Sequence, residues 1–132
     1  MELVKAWEEE GVKVPAPFSR TIKVLFAPDR HNVEELAFTF ALLDPGGMTD
    51  YHIHDRPELI YIVSGRGVAV CDGVSQAIEP DVILYIRAGE KHQMKNTGPE
   101  TLKLATVFVP AITAEFNYKR CLTGSNSGEA DE

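Results

Sequence analysis

Read for the alternation of apolar and polar positions, the chain is a series of short β segments. From Thr21 onward, TIKVLFAP, ELAFTFALL, DYHIH, ELIYIV, GVAVCD, VSQAI, VILYI, KHQMKN and TLKLATVFV each show a period of two or a short apolar run, the mark of a strand. Between them lie DPGG, SGRG, DG, EPD, RAGE and NTGPE, all rich in the residues that tight turns require. Leu36, Phe38, Phe40 and Leu42 fall in phase and are expected to share an inner face. Residues 2–10 suit a short helix, and VPAPF after them forbids its continuation and predicts an extended arm. No helical period of useful length interrupts the strands that follow. The pattern predicts an all-β sandwich or barrel over residues 21–123, after a helix and linker arm over 1–20. The small, acidic stretch 124–132 has the composition of a disordered tail.

One segment fixes an orientation. In KHQMKN, Lys91, Gln93 and Lys95 alternate with His92, Met94 and Asn96, so the long polar side chains take one face and His92 points inward with Met94. His52 and His54, also alternate residues, project side by side, and Glu58 opens the next strand beyond a corner at Pro57. Imidazole and carboxylate are poor core material unless something pairs with them. Taken singly, an inward His92 is as well read as a hydrogen-bonded core residue and Glu58 as a solvated strand end. Taken together, one metal ion explains all four. Three neutral imidazoles and a carboxylate suit divalent Mn, Fe, Ni, Co or Zn, and the lack of a thiolate disfavours copper(I) and iron–sulfur clusters. His31, in the PDRHN loop, is read as a surface residue.

Composition narrows the class. The chain has 132 residues, one domain by the usual prior of about 100–200. Its 20 acidic and 13 basic residues give a net charge of −7, with no basic patch dense enough for nucleic acid or an anionic membrane. Cys71 and Cys121 stand in no metal or redox spacing and are expected to be reduced thiols. The acidic N-terminus lacks the form of a secretory signal and no stretch approaches a membrane span, so a soluble, cytoplasmic protein is expected.

The spacing of the candidate ligands is itself recognisable. Gly46, five residues, His52-Ile53-His54, three residues, Glu58, six residues and Gly65 resemble the first motif of the cupin superfamily without a gap. Gly89, His92 and Asn96 match the second, while Arg87 stands where proline is common and Asp81 where glycine is common. Alternatively, Asp81 is the aspartate that often follows that glycine, with one residue inserted. The resemblance covers about residues 34–110. It implies a small single-domain cupin, a double-stranded β-helix or jelly-roll barrel, with His52, His54, Glu58 and His92 as ligands of one divalent transition metal. It also implies dioxygenase, decarboxylase, isomerase, epimerase or lyase chemistry on a small carboxylate, carbonyl or sugar, and fold alone does not choose among these. A non-catalytic module that binds a small molecule is the alternative.

Phe40, Ile60, Ile62, Met94 and Phe108 are candidate pocket walls, each equally well read as barrel filling. Arg56 and Arg87 could anchor an acidic ligand or be solvated loop arginines. Tyr51 and Tyr61 are turned away by strand phase, and no catalytic residue is assigned. In ELIYIV the face opposite Glu58, Ile60 and Ile62 carries Leu59, Tyr61 and Val63. A strand apolar on both faces needs cover on both, which predicts a homodimer, with a strand such as TIKVLFAP crossing between protomers.

Overall fold

The computed structural model describes residues 1–124. Beyond Gly124, the expected acidic tail lies outside the described residues. Among the described residues nine strands form: β1 (Val12–Val14), β2 (Arg20–Phe26), β3 (Ala37–Leu43), β4 (Glu58–Ser64) and β5 (Gly67–Cys71), then β6 (Val74–Ile78), β7 (Ile83–Ile86), β8 (His92–Asn96) and β9 (Leu102–Phe108). All but β1, which forms in the arm expected to be helix and linker, lie close to a predicted segment. They make a six-stranded sheet in the order β1-β2-β3-β9-β4-β7 and a three-stranded sheet in the order β6-β5-β8, all pairs antiparallel. This is the double-stranded β-helix that the motifs imply. Ile22, Val24, Leu43, Ile60, Leu104 and Met94 fill the space between the sheets. No helix of the described residues is long and apolar enough to cross a membrane.

DYHIH forms no regular strand. Isolated bridges Met48↔Lys95 and His52↔His92 lay it along β8 instead. His52 N–H donates to the His92 carbonyl at 3.0 Å and His92 N–H returns the bond at 2.8 Å. Two sequence-distant histidines are thereby fixed opposite each other by backbone.

The N-terminal helix expected over 2–10 is reduced to one 3-10 turn, Ala6–Glu8. Its cap residue, Lys5, makes no side-chain bond to the turn, and Leu3 and Trp7 are 68 % and 77 % exposed, so nothing packs against a longer helix. Gly11, at φ 73°, then turns the arm into β1, which pairs with β2.

The phase of β3 is the reverse of that expected. Ala37, Thr39, Ala41 and Leu43 are buried, whereas Phe38, Phe40 and Leu42 lie on the half-exposed outer face. The Phe38 and Phe40 rings meet edge to face at 5.6 Å, and Lys103 Nζ sits 4.5 Å from the Phe40 ring. Small residues face inward here because this wall borders the cavity described below.

A helix the pattern did not predict, α1 (Ala114–Thr123), closes the side of the barrel near β1 and β2. Thr113 caps it, its Oγ1 accepting from Phe116 N–H at 3.0 Å. Its buried stripe is Ala114, Asn117 and Cys121, too small and polar to show as helical hydrophobic periodicity.

Candidate metal centre

His52, His54, Glu58 and His92 are all buried, and one nitrogen or oxygen from each lies within 4.8 Å of all the others. Local structure explains each placement. His52 sits on the bridge to β8, His54 two residues on shares its side, Glu58 begins β4, and His92 begins β8. Gly89, at φ 86°, donates its N–H to the His54 carbonyl at 3.0 Å and ties the segments carrying His54 and His92 together.

The hydrogen bonds fix which nitrogen each ring presents. His52 Nδ1 donates to the Asp50 carbonyl at 2.7 Å, and His92 Nδ1 donates to the Glu90 carbonyl at 2.9 Å. A carbonyl only accepts, so both rings carry hydrogen on Nδ1 and turn Nε2 inward. Burial holds His52 well below the ordinary histidine value, with help from the positive Arg120, so its Nε2 keeps a lone pair. For Glu58, burial pushes the carboxyl up, but the adjacent His54 and His92 rings outweigh it and hold it well below the ordinary 4.5.

His52 Nε2 lies 3.0 Å from His54 Nε2, and Glu58 Oε1 lies 3.1 Å from His92 Nε2 and 3.3 Å from His54 Nε2. Acceptors brought this close repel unless a proton or a cation stands among them. The donor set therefore fits a divalent ion: three imidazoles and one carboxylate converge, and the His52 and His92 rings are held from behind by backbone carbonyls.

The cluster lines a cavity of about 50 Å³. Ile60, Met94 and Phe108 are on its walls as expected, the Phe108 ring 4.8 Å from that of His54. Phe40 is not, because β3 turns it outward; Ile62 is fully buried but packs in the core away from the lining. Arg56 is also elsewhere: it pairs with Asp55 at 2.8 Å and donates to the Pro110 and Ala111 carbonyls at 3.2 and 2.6 Å, clamping the ligand loop to the end of β9. Arg87 lies over the Tyr85 ring at 5.5 Å, its N–H bonded to Glu90, outside the cavity. Asp81 has φ 74°, so it fills the turn position that glycine would take.

Several lining residues were not anticipated: Arg20, Thr39, Thr49, Thr106, Asn117 and Arg120. Arg20 was detectable, since it shares the inward phase of Ile22 and Val24 in β2. Asp50, buried behind His52, accepts from Arg20 at 3.5 Å and Arg120 at 3.2 Å. Both cysteines are free thiols. Cys71 groups with Asp72 and Glu90 nearer the surface, but partial burial and those two carboxylates push its thiol up, away from the thiolate a metal needs.

Fold and cluster together define a β-barrel with a histidine–carboxylate site inside it. A family model described as cupin domain matches residues 39–109, more than half of the chain, and the chain belongs to the cupin family. It is 31 % identical over 80 residues to an oxalate-binding protein of Thermotoga maritima, covering 60 % of this chain and 65 % of that one. Over 75 residues it is 31 % identical to the HTH-type transcriptional activator RhaS of Mannheimia succiniciproducens, covering 57 % and 28 %. The chain thus spans less than two thirds of either relative. Among solved structures, it superposes on the polyketide cyclase RemF from Streptomyces resistomycificus with a TM-score of 0.72 at 19 % identity, covering 92 % of this chain and 98 % of that one. That likeness is one of fold.

Proposed function

We propose that the protein is a metal-dependent enzyme acting on a small carboxylate, carbonyl or sugar substrate, with His52, His54, Glu58 and His92 holding one divalent Mn, Fe, Ni, Co or Zn ion. The observation that carries this reading is that the four donors line a cavity rather than being enclosed by other side chains. An ion held there would face that space and, when bound, would act as a Lewis acid on a carbonyl or water. The chain's own residues orient the donors through the Asp50 and Glu90 carbonyls, exclude bulk water with Ile60, Met94 and Phe108, and supply positive charge from Arg20 and Arg120. The second reading, a binding module without turnover, draws support from the relative named as oxalate-binding.

Cobalt-substituted protein separates these from a purely structural site. Absorption bands that shift when a small acid is added mark an open shell; bands of a closed tetrahedral centre that ignore every ligand would overturn both readings. Oxygen uptake or product formation from a bound acid then distinguishes enzyme from binding module. We also infer that the chain works as a homodimer through the outer face of β4.

A further inference from the structure

One wall of the cavity belongs to neither sheet. Most of the lining comes from β2, β3, β4, β8 and β9, or from the segment 48–54 laid along β8. The four large-sheet strands among these are each paired on both edges, and β8 is paired to β5 and bridged to His52. Moving any of them breaks a ladder. Asn117, Arg120 and Cys121 also line the cavity, and they stand on α1. Among the described residues α1 shares no ladder or bridge with a strand, so it can swing away without unzipping a sheet.

Two of its bonds show where α1 lies. β1 covers the edge of β2 only as far as the Val12↔Ile22 pair, and two residues on Val24 donates its N–H to the Tyr118 hydroxyl at 2.9 Å. Arg120 reaches Asp50 Oδ2 at 3.2 Å, two residues before the bridge at His52. The helix thus spans from the edge of the six-stranded sheet to the segment along the three-stranded one and fills the slot between them. Its start is tied down by other groups. Asp29 accepts from the Ala114 and Glu115 N–H, and Arg56 holds the Pro110 and Ala111 carbonyls just before it. The four donors behind this wall are at most 8 % exposed. At roughly 10–15 Å³ for one water, a 50 Å³ cavity holds about four, so a ligand of more than a few heavy atoms needs a wall to move.

We propose that α1 is a door to the cavity, pivoting at its Asp29 end and latched beyond it by Tyr118 on Val24 and Arg120 on Asp50. Open, it uncovers the donors from the side of the barrel, between β2 and the His52 segment; closed, it seals them from bulk water. The latch sits directly behind a donor: the Asp50 carbonyl that holds His52 Nδ1 belongs to the residue whose carboxylate Arg120 grips, so door and ring share one support. Entry to the cavity is at issue here, with or without an ion inside, so metal content does not decide it.

Labelling of the native full chain with N-ethylmaleimide, read residue by residue by mass spectrometry, tests this. Cys121, buried on the inner side of α1, should react at a rate that hardly changes with urea below the unfolding transition, as local opening requires. Tyr118→Phe keeps the ring and removes the latch hydroxyl. It should raise the Cys121 rate about three- to tenfold and leave half-buried Cys71, on β5, unchanged. A Cys121 rate that climbs with urea as steeply as global unfolding, or one that Tyr118→Phe does not raise, overturns the door. The urea dependence of the wild type decides if the variant does not fold. Carbethoxylation of chelator-treated protein then asks whether the door serves the cluster. His52, His54 and His92 should gain reactivity in Tyr118→Phe by the same factor as Cys121, with exposed His31 constant. Cavity histidines that react equally in both proteins are reached from elsewhere, which overturns the proposal. Should chelator treatment unfold the barrel, the maleimide rates decide alone.

Discussion

Asp50 holds together more of this site than any ligand does. Its carbonyl takes His52 Nδ1 at 2.7 Å, and its buried carboxylate takes Arg20 and Arg120. Removing a buried partner strands the charges it compensated, at about 3–5 kcal/mol. Asp50→Ala should therefore lower the free energy of unfolding by about that amount in urea denaturation, and a loss under about 1 kcal/mol would contradict the assignment. At this scale the buried donor cluster was legible and its supports were not. His52, His54 and His92 stood out because imidazoles on inward strand positions demand an explanation. Asp50, Thr39 and Asn117 did not, because a single polar residue in a strand or loop is ordinary until its partners are known. Arg56 and Arg87 misled for the same reason: beside the ligands in sequence, they are spent on Asp55, on backbone carbonyls and on Tyr85.

Among the elements, strands with one clean apolar face were predicted in place and phase, as in β8, where His92, Met94 and Asn96 are all buried. β3 failed because both its faces are apolar, and size pointed to the wrong one. The helix α1 left only a capping threonine in the sequence. It is held at its start by Asp29, whose carboxylate accepts from Ala114 and Glu115 N–H at 2.7 and 3.1 Å, and along its length by Tyr118, whose hydroxyl accepts from Val24 N–H at 2.9 Å. Asp29→Ala should destabilise the protein by about 1 kcal/mol at neutral pH, the usual scale for a lost helix cap. Slight burial pushes the Asp29 carboxyl up, but the two N–H bonds outweigh it and leave it below the ordinary 3.8. A depressed carboxyl contributes stability above its unfolded value and loses it as the pH falls through the folded one. The gap between wild type and Asp29→Ala in denaturation midpoints should accordingly narrow below about pH 4. A gap that stays constant into strong acid would show that the charge plays no part.

At the scale of the whole molecule, the outer face of β4 and β7 has no cover among the described residues. Leu59 and Tyr61 are 43 % and 38 % exposed and pair across to Tyr85 and Ile83, 55 % and 61 % exposed. A second copy of the chain is the expected cover. Sedimentation at micromolar concentration should report a dimer, and Tyr85→Glu should shift it toward monomer; a wild-type monomer would count against it. The proposed exchange of TIKVLFAP between protomers has no support, since β2 is paired on both edges, by β1 and β3, within its own chain. Barrel and cavity bring four donors together where one ion would fit. Elemental analysis of anaerobically purified protein tests that directly. The account predicts about one divalent ion per chain in the wild type and at least about tenfold less in a His52→Ala/His92→Ala variant that still folds. Full metal occupancy in that double variant would contradict it.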